Sequence, residues 1–357
     1  MGTESLDMVD VIPLLRGDIA VQPRQGSVML VRGDLRYEFS GISSARLAQA
    51  FLSMDGLRGI VAVADMTGID LDLLEQIVSF ALERNLVVDL ASDSTALVKP
   101  SEFLGVCRRL FPVWKRSLFE EDLWVGLASG SAPRQVFIGW LIESYHFIQG
   151  ANDRLGLAVT HCPDPRIREV LAKHYVEEYD HGRFFLDSLA VVGAERQVVM
   201  QCRPLPATLA VLNHMRSAGR RDTLEYVVCS GFLESTGQDQ KIALEFLDQV
   251  AKRYTPDQPE AIEPLIEHVK LDEEYGHPDN FETICSLLDP IPARRASAAL
   301  TAGLLLAETL RLWSRDVQRS YEGGSGFRLD LHSYRPSSIA GRPVSRDEFT
   351  EKVGWSD

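Results

Sequence analysis

Long hydrophobic runs are scarce in this chain of 357 residues. The longest, "VFIGWLI" (136–142) and "ALTAGLLLAETLRLW" (299–313), fall short of the roughly 20 apolar residues that cross a bilayer, so no transmembrane helix and no membrane partner are expected. The N-terminus "MGTESLDMVD" is acidic and lacks a basic start followed by an apolar core, which argues against a secretory signal and for a cytoplasmic protein. Cysteine is sparse too. Cys107, Cys162, Cys202, Cys229 and Cys285 are scattered without CxxC spacing, so no cysteine-based zinc site is indicated and each reads as a reduced thiol in or near the core. Positive charge is the minority sign: 37 Lys and Arg against 51 Asp and Glu leave a formal net charge of −14, which repels phosphate backbones and disfavours nucleic acid as a partner.

What is present is ordinary for a folded protein, with 45% apolar and 25% charged residues, and the length favours two domains. Residues 1–92 read first as strands, "DIAVQP", "SVMLVRG" and "LRYEFSG", separated by Arg24-Gln25-Gly26 and Arg32-Gly33-Asp34. Three short helices follow, the first capped by Ser43 or Ser44 and the third by Asp70 or Asp72. Three strands and three helices predict a small α+β winged-helix-like domain. Residues 93–100 read as a linker ending in Pro100, residues 101–322 as an all-α bundle of seven or eight helices, and residues 323–357, rich in Gly, Ser and Pro, as a loosely ordered tail.

The phrasing "MLVRGDLRYEFSG…RLAQAFLSMDG…LEQIVSFALERNLV" resembles the peptide-recognition element of enzymes that modify ribosomal peptides. That resemblance implies a module that holds a precursor's leader peptide as an added strand at the sheet edge. A structural or dimerising role and a DNA-binding winged helix are the alternatives, and the weakly charged "LEQIVSFALERN" is a poor groove reader.

In the helical part, ionisable residues interrupt faces otherwise meant for the core, which is costly unless something satisfies them. His174, Glu178 and His181 stand at i, i+4 and i+7, on one face of a continuous helix. His268, Asp272 and Tyr275 repeat the spacing. Glu234 lies in a mostly apolar stretch between them, and Glu143 with His146 sits in another. His/carboxylate stripes on separate helices are how a bundle holds iron or manganese. Glu177, Asp180, Glu273 and Glu274 fall off these stripes and read as solvent-facing.

These residues resemble the heme-oxygenase-like non-haem di-iron oxidases and oxygenases, related in fold to thiaminase II and to the cofactorless oxidase that completes pyrroloquinoline quinone. The likeness covers roughly residues 101–320 and implies a heme-oxygenase-like bundle. In that family a Glu and a His from one helix, a Glu from a later helix and a His-x3-Asp-x2-His stretch bind the irons. Glu178 and His181 match the first pair, Glu234 the isolated Glu, and His268 with Asp272 the start of the last motif. His174 takes a place held by Glu in some members. The final His of the motif is replaced by Tyr275, and His277, past the helix-stopping Gly276, is expected to point elsewhere unless the helix unwinds.

The resemblance implies an O2-dependent oxidoreductase with Fe(II), two irons in the family pattern, and an external reductant, since no flavin or iron–sulfur motif is present. Its substrate would be a peptide or a small amino-acid-derived molecule, and a homodimer is the general prior. The alternatives are a cofactorless oxidase of the quinone-forming kind and a non-catalytic ligand- or partner-binding bundle.

Overall fold

A computed structural model describes residues 8–90, 97–234 and 237–322. The expected tail, 323–357, and the first half of the expected linker, 93–96, lie outside them.

The N-terminal unit begins with β1 (Pro13–Leu15), β2 (Ala20–Arg24), β3 (Ser27–Arg32) and β4 (Leu35–Ser40). Strands β2, β3 and β4 form an antiparallel meander in that order. Its turns run through Gly26 (φ 80°) and Gly33 (φ 57°), where the backbone is left-handed and glycine is at ease. Helices α1 (Ser44–Ser53), α2 (Ile60–Thr67) and α3 (Leu71–Glu83) follow, and β5 (Val87–Asp89) returns to pair with β1. Asp70 caps α3 by accepting from the Leu73 amide at 3.3 Å. Val28, Leu30, Leu47, Phe51 and Val78 bury completely into a core of this unit's own.

Strand β6 (Leu97–Val98) leads into helices α4 (Pro100–Phe119), α5 (Asp122–Ser129), α6 (Arg134–Gln149), α7 (Ala151–His161), α8 (Pro165–Glu178), α9 (Gly182–Val191) and α10 (Arg196–Gln201). Next come α11 (Pro206–Arg221), α12 (Thr223–Glu234), α13 (Gly237–Tyr254), α14 (Glu263–Glu274) and α15 (His277–Leu287). A two-residue β7 (Ile291–Pro292) pairs with β6, and α16 (Ala293–Glu322) closes the described chain. Pro100, Pro165 and Pro206 occupy first-turn positions, where a missing N–H costs nothing. Asp164 caps α8 through the Arg166 amide at 2.9 Å. Helix α16 is the central rod, packed on α4, α6, α11 and α12. Its buried Ala296, Ala299, Leu300, Leu306, Leu310, Trp313 and Val317 keep helical spacing along one side.

The described residues from Pro100 onward hold thirteen helices rather than seven or eight. The stretch that read as one helix over 165–190 is broken into α8 and α9 where the chain turns at a polar cluster, and α15 follows the expected stop at Gly276 as a helix the sequence did not announce. No helix among the described residues is long and apolar enough to cross a membrane.

The two units meet tightly at α4. Arg109 donates to the carbonyls of Leu15, Arg16 and Gly17 at 2.7–3.3 Å, and Arg16 pairs with Glu102 at 2.8 Å. A Cβ at Gly17 would sit 1.9 Å from the Glu102 carbonyl oxygen, so this approach excludes every other residue.

Candidate metal centre

The α8/α9 and α14/α15 breaks face each other. Helix α8 ends at Glu178, and the chain passes through His181 in tight turns, with the His181 amide on the Glu178 carbonyl and the Phe184 amide on the His181 carbonyl. Helix α14 ends at Glu274, and Gly276 then adopts φ 74°, ψ 28°, a left-handed stop that starts α15 in a new direction. Around these breaks, and beside the end of α12, seven His and carboxylate side chains converge.

Two groups of three can each offer ligand atoms within 4.8 Å of one another: His174, Glu178 and His277, and His181, His268 and Asp272. Glu178 is the hub. Its Oε1 lies 3.2 Å from His181 Nδ1, 3.3 Å from His277 Nδ1 and 3.8 Å from His174 Nε2. Asp272 Oδ1 lies 3.4 Å from His181 Nδ1 and 3.3 Å from His277 Nδ1, so it too faces both groups. Glu234 Oε2 stands 3.5 Å from His174 Nε2, while Ser230 donates to its Oε1 at 2.9 Å. The rings of His181 and His268 are 5.0 Å apart, and those of His174 and His277 4.5 Å.

His174, Glu178, His181 and His277 are buried, yet their contacts do not satisfy them. His174 Nε2, His181 Nδ1, His268 Nε2, both nitrogens of His277 and Asp272 Oδ1 find no well-directed hydrogen-bond partner within the protein. So many orphaned polar atoms in one place are rare in a folded protein, and a bound cation is the simplest remedy. The donor set, imidazole and carboxylate without thiolate, fits iron or manganese.

Residues 138–308 match the family model described as iron-containing redox enzyme. A solved domain of unknown function with a heme oxygenase-like fold, from Shewanella denitrificans OS217, is 19% identical. The match covers 62% of this chain and 94% of that one, with a TM-score of 0.51. The C-terminal region has a heme-oxygenase-like fold. A TenA homologue from P. horikoshii OT3 matches at 14% identity over 61% of this chain and 98% of its own, TM-score 0.48. A TenA homologue from Pseudomonas syringae pv. tomato DC3000 does so at 14% over 64% and 100%, TM-score 0.49. No curated protein matches.

Within this heme-oxygenase-like bundle, His174, Glu178, His181, Glu234, His268 and Asp272 come together, and Tyr275 does not join them. Its side chain is 37% exposed, and its ring lies parallel to that of His181 at 6.4 Å. His277, expected to point away, takes the inward place because Gly276 ends the helix and the rotation per residue no longer carries across. Pro278 was the signal in the sequence: it cannot continue a helix but suits the first turn of a new one. Glu177, read as solvent-facing, is instead largely covered, with Oε2 3.4 Å from His277 Nε2 and Oε1 3.4 Å from Lys173. Glu143 is fully buried but serves the fold, accepting from Leu205 N, Thr208 Oγ1 and Tyr321 at 2.7–2.9 Å. His146 meets Cys202 Sγ at 3.6 Å and belongs to neither group.

The electrostatics differ from one imidazole to the next. Burial opposes charge on Glu178, but His174 and His181 beside it hold its carboxyl well below the usual carboxylate range. Burial likewise opposes a proton on His277, and it is overcome by Asp272, Glu234 and Glu178, which push the ring up to about 9. His181 is raised as well, burial being outweighed by Glu178 and Asp272. For His268 burial wins over Asp272 and Glu178, and its value falls, leaving a neutral imidazole suited to ligation. Arg154 was missed by sequence reasoning. It is 3% exposed on α7, and Tyr226, Glu234 and Glu178 keep it charged against the pull of burial.

Proposed function

We propose that the bundle holds two ferrous ions, one by His174, Glu178, Glu234 and His277 and the other by His181, His268 and Asp272, and that the protein is an O2-dependent oxidase or oxygenase. The observation that carries this reading is the set of buried, unpartnered imidazole nitrogens turned toward shared carboxylates in two adjacent groups. The family model over residues 138–308 favours iron for the same positions. Ferrous iron with imidazole and carboxylate ligands would supply reduction of dioxygen and the oxidant for a C–H or C–N bond.

The chain's own residues do the rest. Glu178 and Asp272, each facing imidazoles of both groups, fix the spacing of the two positions. Glu177 lies behind His277, its Oε2 3.4 Å from Nε2, where an outer carboxylate would orient a ligating histidine. Phe184 and Phe185 stand edge-on to His268 at 5.5 and 5.8 Å and give that imidazole an apolar flank. Arg154 offsets the negative charge of Glu178 and Glu234 from below. Reduction of dioxygen to water takes more electrons than one substrate oxidation returns, so a separate reductant is part of the proposal.

The N-terminal unit would hold a peptide. Among the described residues strand β4 pairs on one side only, with β3, whereas the opposite edge strand β2 carries Pro23 and is a poor template for an added strand. Beside β4, Leu73 and Phe80 of α3 are 39% and 37% exposed, and Phe80 stacks edge-on with Tyr37 and Phe39. This is the surface a leader peptide would use in a cytoplasmic, dimeric enzyme that tailors a peptide or an amino-acid-derived molecule.

Anaerobic loading with ferrous salt tests the centre: about two irons per chain are expected, with an optical band on exposure to dioxygen. No retained iron at micromolar ferrous salt would reject it. For the peptide surface, a precursor peptide encoded nearby should lose about tenfold or more in affinity on Phe80→Asp, and unchanged affinity would reject that assignment.

A further inference from the structure

We infer that the molecule acted on is large, with an extended aromatic body, and that it reaches the centre from the His268 side alone. The words "acted on" rest on the proposed redox function; the binding itself rests on two cavities of very different size.

One cavity of about 1690 Å³ runs among α4, α5, α6, α13, α14, α15 and α16. It exceeds the roughly 300–1,000 Å³ of ordinary small-molecule pockets. Of the seven clustered side chains, only His268 lines it. At the other metal group, His174 and Glu234 border a space of about 10 Å³ closed by Val170, Leu171 and Ile284. Such a space is of the order of one water. A bulky molecule can therefore approach His268 but not His174 or Glu234.

The walls say what kind of molecule fits. Trp124 lies 6.3 Å from Trp140, 6.2 Å from Trp313 and 5.8 Å from Phe246 in edge-on or tilted pairs, and Phe111 and Phe281 continue the lining toward α15. Aromatic walls reward ring-to-ring contact by about 0.5–1.5 kcal/mol per pair beyond burial. A small polar amino acid would leave most of this surface wet. An alkyl chain could fill the space, but it would lose rotor freedom without gaining ring contacts.

The test uses the metal-free full chain and N-phenyl-1-naphthylamine, an uncharged aromatic probe, followed by probe emission and quenching of tryptophan. Saturable binding of about one probe per chain is expected, with naphthalene-type competitors more effective than dodecanol. Ala243→Trp in the body of the cavity and Val269→Trp beside His268 should each weaken binding about tenfold. Phe246→Ala should weaken it several-fold by removing a wall. His174→Ala and His181→Ala, which reach the metal groups but not the cavity wall, should leave it within about twofold. Failure of the unsubstituted chain to take up iron, with probe binding intact, would remove the redox reading and spare the cavity. Absence of saturable binding, or indifference to Ala243→Trp and Phe246→Ala, would overturn the inference. An unchanged affinity in Val269→Trp would overturn its His268 side, and stronger competition by dodecanol would overturn its aromatic class.

Discussion

Replacing His277 by alanine separates the ligand set seen in space from the one that the spacing of residues proposes. His277 Nδ1 lies 3.3 Å from Glu178 Oε1 and 3.3 Å from Asp272 Oδ1, so the substitution removes an imidazole that faces the carboxylates of both groups. Structural zinc held by four ligands gains about 10–16 kcal/mol, roughly 2.5–4 kcal/mol per ligand, which sets the scale for losing one. A loss of about 3 kcal/mol corresponds to about a hundredfold in affinity at the affected position. Anaerobic ferrous titration against a competing chelator, followed by an iron count after gel filtration, reads this directly. The expected outcome is a fall from about two irons to about one in His277→Ala and no change in Tyr275→Phe. The reverse pattern, iron lost with the phenol and kept without the imidazole, would refute the reasoning.

Metal uptake should also report on protons. In the metal-free protein His277 sits at about 9 and is protonated at neutral pH, and His181 is raised in the same direction, so an incoming cation must displace protons. Affinity should rise with pH toward 9, with proton release seen by calorimetry in buffers of different ionisation enthalpy; a flat profile would contradict it. Stability of the metal-free chain runs the other way. A raised histidine stabilises fully below its unfolded value near 6.5, and roughly 3 kcal/mol should be lost as pH climbs through about 9, lowering Tm over that window. Arg154→Met should destabilise the chain by roughly 3–5 kcal/mol in denaturant unfolding, because it strips a buried charge from its partners. Glu143→Gln should destabilise by about 2 kcal/mol with iron content unchanged, since Glu143 serves Leu205, Thr208 and Tyr321 rather than the metal groups.

The sequence and the structure agree best where local rules decide the outcome. Strands β2 to β4 and helices α1 to α3 follow from alternation, Gly26, Gly33 and the Asp70 cap, all of which act within a few residues. Six of the seven clustered side chains were legible as polar intrusions on apolar helical faces. The exceptions share one cause, because periodicity assumes a helix that continues. His181 already stands past the end of α8, and its convergence with Glu178 survives only because the intervening turns stay close to helical geometry. At Gly276 the backbone leaves that geometry, so Tyr275 and His277 exchange the places that counting residues assigns them. Glu177 and Arg154 were invisible for a different reason: what covers them comes from α15 and α12, remote in the chain, and no local pattern carries that information.

The breaks that defeat periodicity also explain how two cations could be gripped at once. On an unbroken helix, residues at i, i+4 and i+7 lie along a line, so one helix offers its donors to one narrow strip. Two adjacent positions need donors that surround a volume. Ending α8 at Glu178 and α14 at Glu274 lets His181 and His277 turn across the gap, where both reach the same pair of carboxylates, Glu178 and Asp272. Restoring helical continuity should therefore damage the centre while leaving all seven donors in place. Gly276→Ala puts a Cβ where φ is 74° and nothing lies within 4 Å, so its penalty is conformational, about 1–2 kcal/mol, rather than steric. That penalty favours the continuous helix, in which His277 would point away. Iron affinity should drop in step with it, by about tenfold, and a variant that binds as tightly as the parent would show that the turn at Gly276 is not what holds His277 in position.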